Sequence, residues 1–224
     1  MEIAERRAAL EAHAREASGC ERCGLAATRT QVVYGCGPVD APLMLVGEAP
    51  GFHEDRDGLP YAGRARELLG RLLAGIGIDL DEVYLATVLK CRVPGNREAV
   101  PEEWGACEPY LYRQLELVRP KVVATLGSFA TTLLSGKALG ITRAHGKEQE
   151  VTLGGRRVLL YPLYHPAAAL YTPTMLEILE RDVARLPALL EGEAPTPAPR
   201  EASPVVAELF APARARQPVQ LGLF

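Results

Sequence analysis

No stretch of this sequence approaches the ~18 uninterrupted apolar residues that a membrane-spanning helix needs. An apolar secretory core is missing too. The chain begins Met1-Glu2-Ile3-Ala4-Glu5-Arg6-Arg7, which is charged and leads into an amphipathic stretch, so a cytoplasmic protein is expected. There is no excess of positive charge. Lys and Arg number 25 against 28 Asp and Glu, a net charge of −3. That excludes a bulk polycation but leaves room for a local basic groove. Cysteine is sparse and odd in number, with five residues. A disulfide framework is not expected in a cytoplasmic chain, and four ligands with one spare fit the count better. Internal repeats are absent. What remains is 224 residues with 48% hydrophobic and 24% charged side chains, the profile of one globular domain with an appendage.

Periodicity fills in the organisation. Residues 2–17 read as a helix whose face carries Ile3, Arg7, Leu10 and Ala14. Residues 43–46 form a short apolar run closed by Gly47, the pattern of a buried parallel strand. Helical spacing follows at 64–74, a second strand at 83–89, and a helix from Pro101 to about Val118 that opens on Glu102 and Glu103. A third strand is expected at 121–126, with Ser128 capping a short helix after it. Segments 148–153 and 157–160 flank Gly154-Gly155, a hairpin signal. Thr172-Pro173 opens a last helix reaching about Leu190. Strands alternating with helices predict a three-layer α/β/α sandwich with a mainly parallel central sheet. Residues 1–190 form the expected domain. Residues 191–224 hold six prolines and seven alanines and read as a flexible tail.

Cys20 and Cys23 form a Cys-x₂-Cys pair, Cys91 follows after 67 residues and Cys107 after 15 more, leaving Cys36 over. Structural zinc usually takes two close pairs. A second pair split this widely suits a larger cluster such as [4Fe–4S]. Buried free cysteines are the bland alternative. The 43–46 strand delivers the chain to Gly47-Glu48-Ala49-Pro50-Gly51, a loop whose backbone can approach a flat ligand at a strand's carboxyl end. The charged run at 53–57 behind it reads as a solvated loop. His165, held between prolines after another strand, is the best placed of only four histidines.

Taken together, these pieces resemble the family 4 uracil-DNA glycosylases, the iron–sulfur branch of that superfamily. The matching motifs are Cys20-x₂-Cys23, Gly47-Glu48-Ala49-Pro50-Gly51-x-x-Glu54-Asp55, Gly58-x-Pro60-Tyr61-x-Gly63-Arg64-Ala65, Lys90-Cys91-Arg92-x-Pro94-Gly95-Asn96-Arg97, Cys107-x-Pro109-Tyr110-Leu111 and His165-Pro166-Ala167-Ala168. The resemblance implies excision of uracil from DNA by hydrolysis of the N-glycosidic bond, with an abasic site as product. It implies that Cys20, Cys23, Cys91 and Cys107 hold a [4Fe–4S] cluster and that the 47–51 loop lines the uracil pocket. It further implies that Tyr61 stacks on the base, that His165 steadies the leaving anion, and that Glu54 and Asn96 hold water or sugar-phosphate, with Glu48 as an alternative to Glu54. Thr87 stands where the family usually has an asparagine that reads the uracil edge, so altered base specificity is the alternative function, and a non-catalytic iron–sulfur DNA-binding protein is another. Arg56, Arg64, Lys90, Arg92, Arg97, Arg143 and Lys147 are candidate phosphate contacts, and residues 169–172 a candidate wedge into the duplex. The last residues, Gln220, Leu221, Leu223 and Phe224 around Gly222, resemble the peptide with which bacterial repair proteins dock on the sliding clamp. A monomer is expected.

Overall fold

The computed structural model describes residues 1–192. The expected tail, with its clamp-binding residues, lies outside the described residues except for its first two positions. Among the described residues, no helix is long and apolar enough to cross a membrane.

Five strands form one sheet: β1 (Leu43–Gly47), β2 (Tyr84–Thr87), β3 (Val122–Leu126), β4 (Gln149–Leu153) and β5 (Arg156–Leu163). Their order is β2-β1-β3-β5-β4. β1 pairs in parallel with both β2 and β3, and β3 with β5, while β4 returns antiparallel to β5. The hairpin between β4 and β5 turns on Gly154 and Gly155, with φ of 56° and 72°, which suits glycine in a two-residue turn. Residues alternate cleanly between the two faces. Met44, Val46, Tyr84, Ala86, Val123, Val158 and Leu160 join the core beneath α1 (Ile3–Ser18), α4 (Pro101–Val118) and α5 (Ser128–Ser135). Leu43, Leu45, Leu85, Val122, Ala124, Tyr161 and Leu163 join the core beneath α3 (Gly63–Ala74), α8 (Pro173–Val183) and α9 (Leu186–Glu191). The expected three-layer α/β sandwich is therefore present. The chain runs from β1 outward to β2 and then crosses back past β1 to β3 on its other side, so the winding reverses between β1 and β3 and a crevice opens at the carboxyl ends of these strands.

Several local expectations are corrected. The inner face of α1 is Arg6, Leu10 and Ala17, whereas Ile3 and Arg7 point outward. The buried Arg6 is tolerated because its Nη1 donates to the carbonyls of Val39, Leu117 and Val118 at 2.8, 2.6 and 3.0 Å, which ties α1 to the end of α4. Residues 52–57 are a helix, α2 (Phe52–Asp57), and not a loop. Ser128 does not cap α5. It is the first helical residue after Gly127, and its hydroxyl accepts from the Ile141 amide. The single helix expected at 172–190 breaks at Ala184–Arg185, where Pro187 in the first turn of α9 has no N–H to continue α8. Two short helices, α6 (Ile141–Ala144) and α7 (Pro166–Ala169), complete the described elements named here.

Candidate active site

The loop that leaves β1 is fastened on both sides. Val88 N–H donates to Gly47 O and Leu89 N–H to Glu48 O, each at 2.9 Å, so the loop is zipped to the chain leaving β2. On the other side, Glu54 on α2 takes the Gly51 amide on Oε2 at 3.0 Å and the Ala62 amide on Oε1 at 2.7 Å. Both carboxylate oxygens of Glu54 thus clamp backbone. Gly47 must be glycine, since a Cβ there would lie 2.6 Å from the Tyr61 hydroxyl.

A cleft of about 270 Å³ sits over this loop, lined by Glu48, Ala49, Pro50, Gly51, Val93, Asn96, Arg97 and His165. The structure therefore gathers Glu48, Asn96 and His165 with the glycine-proline loop. His165 is half-buried at the end of β5, and it caps α7 with its own side chain: Nδ1 accepts the Ala167 N–H at 3.1 Å. An imidazole nitrogen that accepts carries no proton, so the neutral ring has its proton on Nε2. Burial, partly opposed by the Glu54 carboxylate, lowers the pKa of His165 and favours this neutral form. Glu48 is exposed along the cleft, yet its carboxyl is raised, first by partial burial and then by the Glu98 carboxylate. Asn96 adopts left-handed backbone, φ 51°, in the turn after Val93. Next to it, Arg97 forms a two-pronged pair with Glu103 at 2.9 and 2.6 Å, and Glu103 accepts the Val100 amide at the start of α4. The far wall of the cleft is thereby built on the helix that carries Cys107.

Tyr61 and Thr87 lie behind the cleft and do not line it. Both are buried. The Tyr61 hydroxyl donates to Ala86 O at 3.0 Å, and its ring centroid is 6.3 Å from that of His165. Thr87 Oγ donates to Leu89 O at 2.6 Å. Lys90 cannot contact phosphate. It is 1% exposed, its Nζ donates to Thr87 O and Gln114 Oε1 at 2.6 Å each, and burial pushes its pKa down to about 7. Of the expected wedge, Ala169 is buried and Tyr171 is exposed. Val93 as a cleft wall was missed, although it stands inside the Lys90–Arg97 motif. The Ala167 amide that sets the tautomer was missed because no side-chain signal marks it.

The cysteines separate four to one. Cys91 and Cys107 are buried in the core under α1 and α4, with Cys20 and Cys23 packed against them, whereas Cys36 packs on the other face of the sheet. The Cys91 thiol is raised by burial and by the charges of Cys23 and Cys20. Cys107 is pushed up to about 11 by burial, with Cys91 and Cys23 adding to it. Arg29 reaches the quartet, its Nη1 2.6 Å from Cys20 O and 3.7 Å from Cys91 Sγ. Among the described residues, no three His, Cys, Asp or Glu side chains close tightly enough to hold a single metal ion.

Fold and cleft define a doubly wound α/β protein. Its ligand crevice offers a neutral N–H donor, a raised carboxyl and an amide to one small guest. Comparisons with known proteins narrow this class. The family model described as the Uracil DNA glycosylase superfamily matches residues 34–187. A type-4 uracil-DNA glycosylase of Archaeoglobus fulgidus is 42% identical over 186 residues, covering 81% of this chain and 94% of that protein. The type-4 enzyme of Thermotoga maritima is 42% identical over 149 residues, covering 66% of this chain and 76% of its own. A type-5 uracil-DNA glycosylase of Pyrobaculum aerophilum is 32% identical, covering 66% and 74%. The chain belongs to the uracil-DNA glycosylase superfamily, and the relatives that match it at 42% identity are type-4 enzymes.

Proposed function

We propose that the protein hydrolyses the N-glycosidic bond of uracil in DNA and leaves an abasic site. The observation that carries this reading is that His165 lines a cleft with Glu48 and Asn96 while its Nδ1 accepts the Ala167 N–H, which leaves Nε2 to carry the proton of the neutral ring. The base must leave the stack to reach such a cleft, which is easiest for a mispaired uracil. As the bond breaks, negative charge collects on uracil O2 and positive charge on the sugar. A fixed donor at the developing anion is worth most when water is excluded, and His165 is that donor. Glu48 then serves the sugar side by orienting water, with Asn96 beside it. Glu54 has both oxygens on backbone, so its part is to hold the loop in register.

Tyr61 braces the cleft from behind through Gly47. Thr87 is buried behind the cleft with its hydroxyl donating to Leu89 O, so it does not pair with the uracil edge as an asparagine amide at this position could. This favours a second reading, in which other bases are also released. The experiment is a panel of oligonucleotides with uracil, hypoxanthine, xanthine or thymine opposite guanine, scored by alkali cleavage of abasic sites. Absence of cleavage at uracil overturns the proposal.

The quartet Cys20, Cys23, Cys91 and Cys107 fits a [4Fe–4S] cluster. Two buried and two half-buried thiols would be costly as thiolates unless a positively charged group joined them. In such a cluster each thiolate binds its own iron, so the four side chains need not converge on one ion. When bound, the cluster supplies a structural cross-link between the loop after α1 and the α4 wall. We further propose that Gln220, Leu221, Leu223 and Phe224 dock on the sliding clamp, where tethering raises the local concentration of enzyme on DNA. Deleting 220–224 is expected to abolish binding to purified clamp in a pull-down, and unchanged binding contradicts it.

A further inference from the structure

Among the described residues, two aromatic side chains are exposed, Phe52 at 62% and Tyr171 at 76%. An isolated exposed ring needs no explanation. These two share a position and a partner. Phe52 follows Gly51 of the cleft directly, and Tyr171 stands on the segment that follows His165. A guanidinium lies against each ring, Arg92 5.5 Å from the centre of Phe52 and Arg64 5.6 Å from that of Tyr171. At Phe52 the arrangement is fixed from below. Arg92 Nε lies 3.6 Å from Oδ2 of Asp55, a buried carboxylate that also accepts the Thr30 amide at 2.9 Å and hydroxyl at 2.8 Å. The His53 ring meets Phe52 nearly edge-on at 5.6 Å. The phenyl ring is thus held, with most of its surface open to solvent beside the cleft.

We propose that Phe52, backed by Arg92, is a stacking platform for an unpaired base next to the extruded one, so that the α2 bank of the cleft engages single-stranded or locally melted DNA. This inference rests on the glycosylase reading above. Every base has a π face, so a ring serves an enzyme that must act in any sequence. The ring sits one residue outside the cleft, which places it at a neighbouring nucleotide and not at the excised one. An arginine beside each exposed ring complements a polyanionic strand, and a guanidinium stacked on an aromatic surface extends the platform.

The test compares the wild type with Phe52→Ala, Phe52→Leu and Phe52→Trp. One arm measures uracil release from a single strand and from a U·G duplex. The other titrates undamaged single-stranded DNA carrying 2-aminopurine, whose fluorescence reports stacking. Alanine and leucine are expected to raise KM and Kd for the single strand about ten-fold. Tryptophan is expected to restore both, the loss to fall on KM more than kcat, and the duplex to respond much less. Equal single-strand KM and Kd in all four proteins overturns the platform, as does an equal rise on both substrates. A wild type inactive on uracil overturns the glycosylase reading instead, and the titration still decides the platform.

Discussion

Replacing His165 with alanine is expected to slow uracil release about 10²–10³-fold, the usual cost of losing one donor to a developing anion. The size of the loss follows from how the ring is prepared. The Ala167 amide occupies Nδ1, so no rotation or tautomer exchange is needed before Nε2 donates. Burial keeps the ring uncharged, and a neutral imidazole donor does not have to give up a proton to the product. The side chain stands half-buried at the rim of the cleft and its loss removes the α7 cap, so the variant is expected to fold with a melting temperature lowered by only about 2–4 °C. Single-turnover rates on a uracil oligonucleotide, with the melting curve alongside, check this. An unchanged rate removes His165 from the mechanism, and a rate lost together with the fold marks the residue as structural.

Cys107→Ala is expected to strip the purified protein of its brown colour, iron and sulfide, and to lower the melting temperature by about 10 °C. That figure supposes a cross-link worth a few kcal/mol, by analogy with a long-loop disulfide, in a domain of this size. Cys107 lies on α4, whose first turn anchors Arg97 through Glu103. Loosening that helix is therefore expected to raise KM as well, because the wall bearing Asn96 and Arg97 moves with it. Cys36→Ala is the control. That thiol packs on the opposite face of the sheet and is expected to leave colour and iron untouched. Iron analysis of the two variants is decisive: equal iron in both contradicts the ligand assignment.

Much of this architecture was legible because it obeys short-range rules. Leu43–Val46 is apolar at every position since both faces of β1 are covered, and Gly154-Gly155 can hardly be anything but a tight turn. The strand-end loop and His165 were legible for the same reason: they sit where parallel strands end. Other features depend on contacts distant in sequence. Arg6 reads as a surface residue until three carbonyls from Val39, Leu117 and Val118 are seen around it. Lys90 reads as a phosphate ligand until Gln114, 24 residues away, is seen to receive it. The charged run at 53–57 reads as solvated loop until its buried member, Asp55, is seen to be satisfied by Thr30 from an earlier segment. Backbone partners such as the Ala167 amide leave no trace in residue type, so the tautomer of His165 could only be found from coordinates.

The proposed chemistry rests on a neutral His165 imidazole with its proton on Nε2. Nitrogen-15 NMR of the histidine-labelled protein, with the His165 signals assigned by their loss in His165→Gln, tests it most directly. An unprotonated, hydrogen-bonded Nδ1 and a protonated Nε2 are expected at pH 7, persisting as the pH falls below the ordinary histidine value of about 6.5. A ring that is already cationic at pH 7, or that carries its proton on Nδ1, contradicts it.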